Sequence, residues 1–208
     1  MKRILLSFCL HFALKNSYGH IILTNDTTVC GMQNLDLYAI SASVDSLVTD
    51  DTYTQTINLG FDFDFYGVTY NKMLISSNGY VTFDTTSAGG YSPWAINAAI
   101  PNPGTPPENS IMVTWQDTDP GVAGAIYFGS YGAAPNRVYV VTWCGLAMFS
   151  CNSLIYTSQL RMYEGSNKIE MYLQDKPLCA TWNAGAAVQG LVDATSTNFD
   201  IVNDPIQI

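Results

Sequence analysis

The sequence predicts an all-β fold, an antiparallel β-sandwich or open barrel of roughly ten to twelve short strands stabilised by disulfides. Three observations support this class. Short runs rich in β-branched and aromatic residues are separated throughout by Gly, Pro, Asn and Asp. No long stretch repeats its apolar residues at a helical period. Four cysteines follow the N-terminal segment, an even number that favours disulfides in an exported chain.

Residues 1–19 have the layout of a secretory signal peptide. Lys2 and Arg3 precede the apolar run Ile4–Leu14, and Ser17 and Gly19 supply the small residues before a cleavage site. The run is too short to span a bilayer. A lipoprotein cleaved before Cys9 is a weaker alternative, because the bulky Phe8 would precede the lipidated residue. We therefore expect export, with residues 20–208 forming one domain and residues 20–50 a loosely attached N-terminal strand region.

The net charge of the chain limits the classes of molecule that it is expected to bind. The full sequence carries a net charge of −9, and three of its eight basic residues lie in the signal peptide. Such an acidic chain has no electrostatic footprint for nucleic acid. No later segment is apolar over the length needed for a transmembrane helix, so we expect no membrane insertion. The expected partners are extracellular proteins, glycans, divalent cations or other copies of the chain.

The predicted strands can be followed in order along the chain. In Phe61–Phe65, aromatic residues alternate with Asp62 and Asp64, which indicates one buried and one exposed face. Asn78-Gly79 lies between two β-rich runs and predicts a hairpin. The predicted strands are Leu35–Ser41, Tyr53–Leu59, Phe61–Phe65, Lys72–Ser76, Tyr80–Phe83, Ile111–Trp115, Ala125–Phe128, Val138–Trp143, Ile155–Tyr163, Ile169–Leu173 and Val188–Val192.

Two segments interrupt this pattern. Pro93–Ala99 predicts a single helical turn, since proline is favoured at the first helical position. Ile100–Pro107 is rich in proline, which a central strand excludes, and is expected to form a long surface loop.

Several blocks resemble a known family of extracellular domains. Asn58–Asp84, with its Phe-rich strand and Asn-Gly hairpin, resembles the opening of nidogen-like (NIDO) domains. The resemblance continues through Ile111–Pro120, Gly124–Phe128 and Arg137–Trp143. Three further blocks resemble an N-terminal β-domain of large secreted Bacteroidetes proteins, which often end in a gliding-motility-associated sorting domain. These blocks are Gly89–Pro101, Met148–Leu160 and Lys176–Gly190.

This resemblance implies a nidogen-like sandwich and a disulfide. Cys151 and Cys179 match cysteines of the bacterial relatives, and we expect them to pair. The alternative is two separate buried thiols. Cys30 and Cys144 then remain as a second candidate pair, although sequence alone does not fix the connectivity. A zinc site is poorly supported, because the cysteine spacings contain no CxxC pair.

Asp117 and Asp119 are candidate metal ligands. They follow a predicted strand as Asp-Thr-Asp-Pro-Gly, and carboxylates on loops are frequent ligands of Ca²⁺. Asp62 and Asp64 would add oxygen ligands if the fold brought them close. The simpler interpretation is that Asp117 and Asp119 cap the Pro-Gly turn through their own backbone. The sequence leaves both interpretations open.

Trp94 and Trp182 are candidate ligand-binding residues. Both lie in loop-like settings, flanked by Ser, Asn, Gly and Ala. Exposed tryptophans form platforms for sugar rings and are enriched at protein interfaces. The alternative is local packing beneath the Pro-rich loop or the disulfide.

The sequence gives little support to catalysis. The two histidines are His11, in the signal peptide, and His20, at the start of the mature chain, so a Ser-His or Cys-His mechanism lacks its base. No phosphate-binding loop or HExxH motif is present. We therefore expect a secreted, non-enzymatic adhesion or structural module of the bacterial cell surface. The alternatives are a carbohydrate-binding module, with or without calcium, and a filament subunit in which residues 20–36 pair with a neighbouring sheet.

Overall fold

The computed structural model describes residues 45–105 and 107–203, and the prediction of an all-β fold is confirmed over this range. The described part contains twelve strands, one short 3₁₀ turn (Asn183–Gly185) and no α-helix. The strands are β1 (Asp45–Leu47), β2 (Ile57–Phe65), β3 (Val68–Ile75), β4 (Tyr80–Thr82), β5 (Ser110–Trp115), β6 (Thr118–Asp119), β7 (Ala125–Tyr131), β8 (Val138–Met148), β9 (Cys151–Tyr163), β10 (Ile169–Asp175), β11 (Val188–Val192) and β12 (Phe199–Asn203).

The strands form two antiparallel sheets of six strands each. The first sheet has the order β1-β7-β8-β9-β10, with β6 also paired to β8. The second has the order β12-β11-β5-β4-β3-β2. The chain therefore crosses between the sheets several times, and two of these crossings position the candidate site.

β2 shows how the sequence directs one face into the core. Phe61, Phe63 and Phe65 are buried, whereas the alternating Asp62 and Asp64 are exposed, as the period of two predicts. The predicted strands Tyr53–Leu59 and Phe61–Phe65 are in fact joined into one strand that starts at Ile57. Gly60 lies within this strand, with φ +81°, where the β2–β3 register is irregular.

The predicted Asn78-Gly79 turn connects β3 to β4. Gly79 has φ +81°, and a Cβ atom there would lie 2.1 Å from the backbone oxygen of Thr114. The Gly79 carbonyl accepts hydrogen bonds from the backbone N–H groups of Val113 and Thr114. The turn is therefore packed against β5, and only glycine fits at its tip.

The main core lies between the two sheets. Its largest fully buried residue is Trp143, whose indole N–H donates to the carbonyl of Ser76 at 2.9 Å. Both sheets contribute to this core through Phe63, Met73, Val81, Ile111, Val113, Ile126, Val141, Trp143, Tyr156, Leu160 and Met162. A second, smaller cluster contains Tyr53, Leu74, Tyr80, Ile100, Met112, Trp115, Val188 and Val192.

Pro93–Ala99 forms no helical turn, so that prediction is wrong. The carbonyl of Pro93 accepts hydrogen bonds from the indole N–H of Trp115 and the hydroxyl of Tyr80. The backbone N–H of the preceding Ser92 donates to the carbonyl of Asp51. These contacts hold the start of the segment against β4 and β5, and tertiary bonds replace the local bonds that a helix would need.

The signal peptide, the predicted strand Leu35–Ser41 and Cys30 lie outside the described residues. Of the N-terminal region expected to attach loosely, the described part includes β1, which pairs with β7. Among the described residues, no helix has the length and apolar character required to cross a membrane.

The connection from β11 to β12 is organised by one carboxylate. Asp193 accepts hydrogen bonds from the backbone N–H groups of Thr195 and Thr197 and from the side-chain amide of Asn198. Burial opposes its ionisation, but these hydrogen bonds together outweigh burial and lower the pKa of Asp193 to about 2. The charged carboxylate is therefore part of the folded turn.

Acidification is expected to remove the contribution of Asp193 to stability. A carboxyl group whose pKa is lower in the folded state stabilises the fold above its unfolded pKa, and this stabilisation disappears as the pH falls through the folded value. The difference in unfolding free energy between the wild type and Asp193→Asn should therefore be larger at about pH 6 than at about pH 2.5. Urea denaturation at both pH values measures it. Equal differences would contradict the assigned role.

Candidate functional site

The two predicted metal ligands, Asp117 and Asp119, have different roles in the structure. The carboxylate of Asp119 accepts hydrogen bonds from the backbone N–H groups of Gly121 and Val122, at 2.8 and 3.2 Å. Asp119 therefore caps the Pro-Gly turn, as the simpler interpretation predicted. Asp117 is only 6 % exposed, and its carboxylate accepts from the indole N–H of Trp182 at 2.7 Å.

Asp117 lies in a cluster of three carboxylates with Asp50 and Asp51. One carboxylate oxygen from each residue lies within 4.8 Å of the others. Asp62 and Asp64 are on the exposed face of β2, where Asp64 accepts from Thr69, and they do not belong to this cluster. We call Asp50, Asp51 and Asp117 the acidic cluster.

The acidic cluster forms where two segments of chain pass between the sheets. Asp50 and Asp51 follow β1 of the first sheet and precede Tyr53, which bridges to Ser76 at the end of β3. Asp117 lies between β5 of the second sheet and β6, which pairs with β8 of the first. The fold therefore brings acids that are distant in sequence to one end of the sandwich.

In each carboxylate of the acidic cluster, one oxygen accepts a hydrogen bond. Asp50 accepts from the backbone N–H of Asp51 at 2.9 Å. Asp51 accepts from the side-chain amide of Asn78 at 3.0 Å, and Asp117 from Trp182. The other oxygen of Asp117, Oδ1, is buried and makes no hydrogen bond to any residue that the structure describes. These donors fix the orientation of the carboxylates and leave part of their binding capacity unused.

The electrostatics of the acidic cluster are unfavourable for three ionised groups. Burial, together with repulsion from Asp51, Asp50 and Asp119, raises the pKa of Asp117 to about 7 against the lowering effect of Trp182. Burial and repulsion from Asp51 and Asp119 raise the pKa of Asp50 to about 6. Burial also raises the pKa of Asp51, although the Asn78 amide opposes this. The cluster therefore favours protons or another positive charge.

Trp94 and Trp182, the predicted ligand-binding residues, are brought together beside the acidic cluster. Their ring centroids are 5.4 Å apart, and Phe149 lies 4.8 Å from Trp182. Both tryptophans are half-buried, so they pack locally and also present surface to solvent. Since Trp182 bonds to Asp117, the aromatic group (Trp94, Phe149 and Trp182) and the acidic cluster form one continuous site.

The comparisons with known proteins give one match. The family described as NIDO related matches residues 33–207, which include every described strand. The chain belongs to the NIDO-related family. No curated protein and no solved structure matches the chain. NIDO-type domains are extracellular interaction modules, so the expected nidogen-like character is confirmed at the level of the family.

The NIDO-related domain contains the disulfide expected between Cys151 and Cys179, with Cα atoms 5.9 Å apart. It joins the start of β9 to the loop after β10, and the Cys179 carbonyl accepts from the backbone N–H of Trp182. Cys144 is also disulfide-bonded. Its expected partner, Cys30, lies outside the described residues, so that pairing stays a prediction.

Asp50 and Asp51 were not predicted as site residues of the NIDO-related domain. The available signal was a pair of adjacent acids in Thr49-Asp50-Asp51-Thr52, directly after a short strand. Nothing local connects this pair to Asp117, because the link depends on how β1 and β5 are arranged in space. Asn78 was predicted only as a turn residue, yet its side chain is fully buried and holds Asp51.

Proposed function

We propose that this NIDO-related domain is an exported, non-catalytic adhesion or structural module of a bacterial cell-surface protein. The observation that carries the proposal is the family match across the whole described sandwich, since NIDO-type domains are extracellular interaction modules. The signal peptide predicted at residues 1–19 supports export. The lack of a histidine after His20 argues against most nucleophilic mechanisms.

The aromatic group is the surface that we propose to bind the partner. Trp94, Phe149 and Trp182 come from the three blocks that resemble the Bacteroidetes surface domain, and these blocks are far apart in sequence. In the fold their rings pack together, and the Cys151–Cys179 disulfide links two of the blocks. Tryptophan is enriched among the few residues that contribute most of the binding energy at protein interfaces. This convergence supports the relation to the bacterial surface proteins.

A calcium-assisted carbohydrate-binding module is the second candidate. It is favoured by the position of Trp94 and Trp182 next to three carboxylates, because sugar sites combine an aromatic face with polar groups. A filament subunit is the third candidate. It is favoured by β12, an outer strand of the second sheet whose Phe199, Ile201 and Val202 are exposed.

A binding screen tests the proposed function. The oxidised protein is passed over immobilised extracellular matrix proteins, a glycan array and a surface carrying the protein itself, with calcium and with chelator. We expect saturable binding to a protein surface, and Trp94→Ala should weaken it by about tenfold or more. Phe199→Ala is the matched control, because Phe199 is an exposed aromatic residue on β12, outside the aromatic group.

The screen distinguishes the candidates. Binding confined to glycans and lost in Trp94→Ala would replace adhesion with carbohydrate recognition. Binding confined to the protein itself and weakened by Phe199→Ala would favour the filament subunit. Turnover of a substrate that disappears on replacement of one acid would contradict the non-catalytic proposal altogether.

A further inference from the structure

The acidic cluster has the composition of a site for a hard cation. We propose that Asp50, Asp51 and Asp117 bind a divalent cation of the calcium class. Calcium prefers several oxygen ligands at roughly 2.3–2.6 Å, so two ligands on opposite sides of one ion lie about 4.6–5.2 Å apart. The carboxylate oxygens of the acidic cluster lie within 4.8 Å of one another, which fits this span. The cluster contains no cysteine or histidine, the ligands that zinc prefers.

The buried oxygen of Asp117 is the second observation that indicates a ligand. Asp117 is only 6 % exposed, and its Oδ1 atom has no hydrogen-bond partner among the described residues. A buried carboxylate oxygen without a partner is costly unless a positive charge or a donor meets it. The same carboxylate belongs to the acidic cluster with Asp50 and Asp51.

Among the described residues, no basic side chain supplies the missing charge. The described residues contain five Lys and Arg side chains: Lys72, Arg137, Arg161, Lys168 and Lys176. Arg137 pairs with Glu164, and Lys168 with Glu170. None of the five is among the groups that act on Asp50, Asp51 or Asp117. Within the described part of the chain, the groups that act on the cluster include its own acids, Asp119, Asn78 and Trp182, and the uncharged phenol of Tyr91 feels the charges of Asp51 and Asp117.

The donors around the cluster resemble the outer shell of a cation site. Ligand carboxylates in metal sites are themselves hydrogen-bonded, and these bonds orient them toward the ion. Here the backbone of Asp51, the amide of Asn78 and the indole of Trp182 each bind one oxygen of one carboxylate. Among the described residues, the second oxygens of Asp50 and Asp51 have no hydrogen-bond donor, so one oxygen from each acid is free to meet the ion.

A bound cation would cross-link the two passages between the sheets. Asp50 and Asp51 belong to the passage from β1 toward β3, and Asp117 to the passage from β5 to β6. The ion would also fix Trp182, since the indole binds Asp117. Calcium would therefore stabilise the end of the sandwich that carries the aromatic group.

Calcium titration of the oxidised protein tests the site. Saturating CaCl2 is expected to raise the melting temperature above its value in chelator by about 5–10 °C, because a ligand that binds only the folded state stabilises it. MgCl2 at the same concentration should give a smaller shift, since Mg²⁺ demands tighter octahedral geometry. Absence of any calcium-dependent shift, or an equal shift with magnesium, would overturn the assignment.

The variant Asp117→Asn distinguishes a lost ligand from a damaged fold. Its calcium dissociation constant, measured by calorimetry, should rise by about tenfold or more. In chelator its melting temperature should equal or exceed that of the wild type, because the variant has lost mutual repulsion within the cluster. Asp62→Asn, which removes an exposed acid from β2, is the matched control and should leave calcium binding unchanged. Unchanged calcium affinity in Asp117→Asn would overturn the proposal.

Terbium luminescence tests the site without changing the cluster. Tb³⁺ binds calcium sites and emits when a nearby tryptophan is excited, and Trp182 is hydrogen-bonded to Asp117. We expect sensitised emission from the unmodified protein and its displacement by CaCl2. Emission that calcium does not displace would place the ion elsewhere and contradict the site.

Discussion

Replacing both Cys151 and Cys179 with alanine is expected to lower the free energy of unfolding by about 3–4 kcal/mol. The disulfide closes a loop with a sequence separation of 28, and the chain-entropy estimate for such a loop gives this magnitude. For a chain of this size the melting temperature should fall by roughly 10 °C. Urea denaturation of the oxidised wild type and the double variant, with the remaining disulfide verified by mass, measures the change.

The same replacement is expected to loosen the aromatic group. Cys179 is 2 % exposed, and its carbonyl binds the backbone N–H of Trp182 at 3.2 Å. Without the cross-link, the loop after β10 is anchored less firmly, so the near-ultraviolet circular dichroism of the tryptophans should weaken. The control is Ser153→Ala, which changes an exposed residue of β9. A double variant within about 0.5 kcal/mol of the wild type would show that the disulfide adds little to stability.

Local patterns in the sequence predicted the strands that have one buried face. β2 alternates aromatic and acidic residues, and Asn78-Gly79 gives the hairpin that follows it. The strands β1 and β6 were not predicted, because two or three residues are too few to show a period. The strand β12 was not predicted either, because its exposed apolar side chains leave no alternating pattern. The predicted helical turn at Pro93–Ala99 does not form, because the hydrogen bonds to the Pro93 carbonyl come from residues distant in sequence.

The candidate site was predicted only in its separate parts. Asp117, Trp94 and Trp182 were selected for chemical reasons, but their contacts depend on long-range packing. A sequence gives residue types and spacing. The proximity of Asp51 to Asp117, however, depends on the positions in space of the segments that follow β1 and β5. Asp62 and Asp64 were predicted as further oxygen ligands beside Asp117 and Asp119 if the fold brought them close, yet β2 directs both to solvent. Alternation along β2 was therefore an argument against them.

Asn78→Ala is expected to lower the free energy of unfolding by about 3–5 kcal/mol, because it leaves several buried polar groups unpaired. The Asn78 side chain is fully buried. Its amide donates to Asp51 and to the carbonyl of Ser92, and its oxygen accepts from the backbone N–H of Thr118 at 3.1 Å. Urea denaturation checks the value. Asn152→Ala, which removes an exposed asparagine from β9, should change stability by less than about 0.5 kcal/mol.

Asn78→Asp separates the two roles of this side chain. An aspartate keeps an oxygen for the N–H of Thr118 but cannot donate to Asp51, and its charge lies beside another carboxylate. In chelator we therefore expect Asn78→Asp to be at least as destabilised as Asn78→Ala. If the acidic cluster binds calcium, the added carboxylate should recover more stability in calcium than alanine does, because a cation offsets the repulsion. Equal responses of the two variants to calcium would show that Asn78 supports the turn and has no part in orienting Asp51 for an ion.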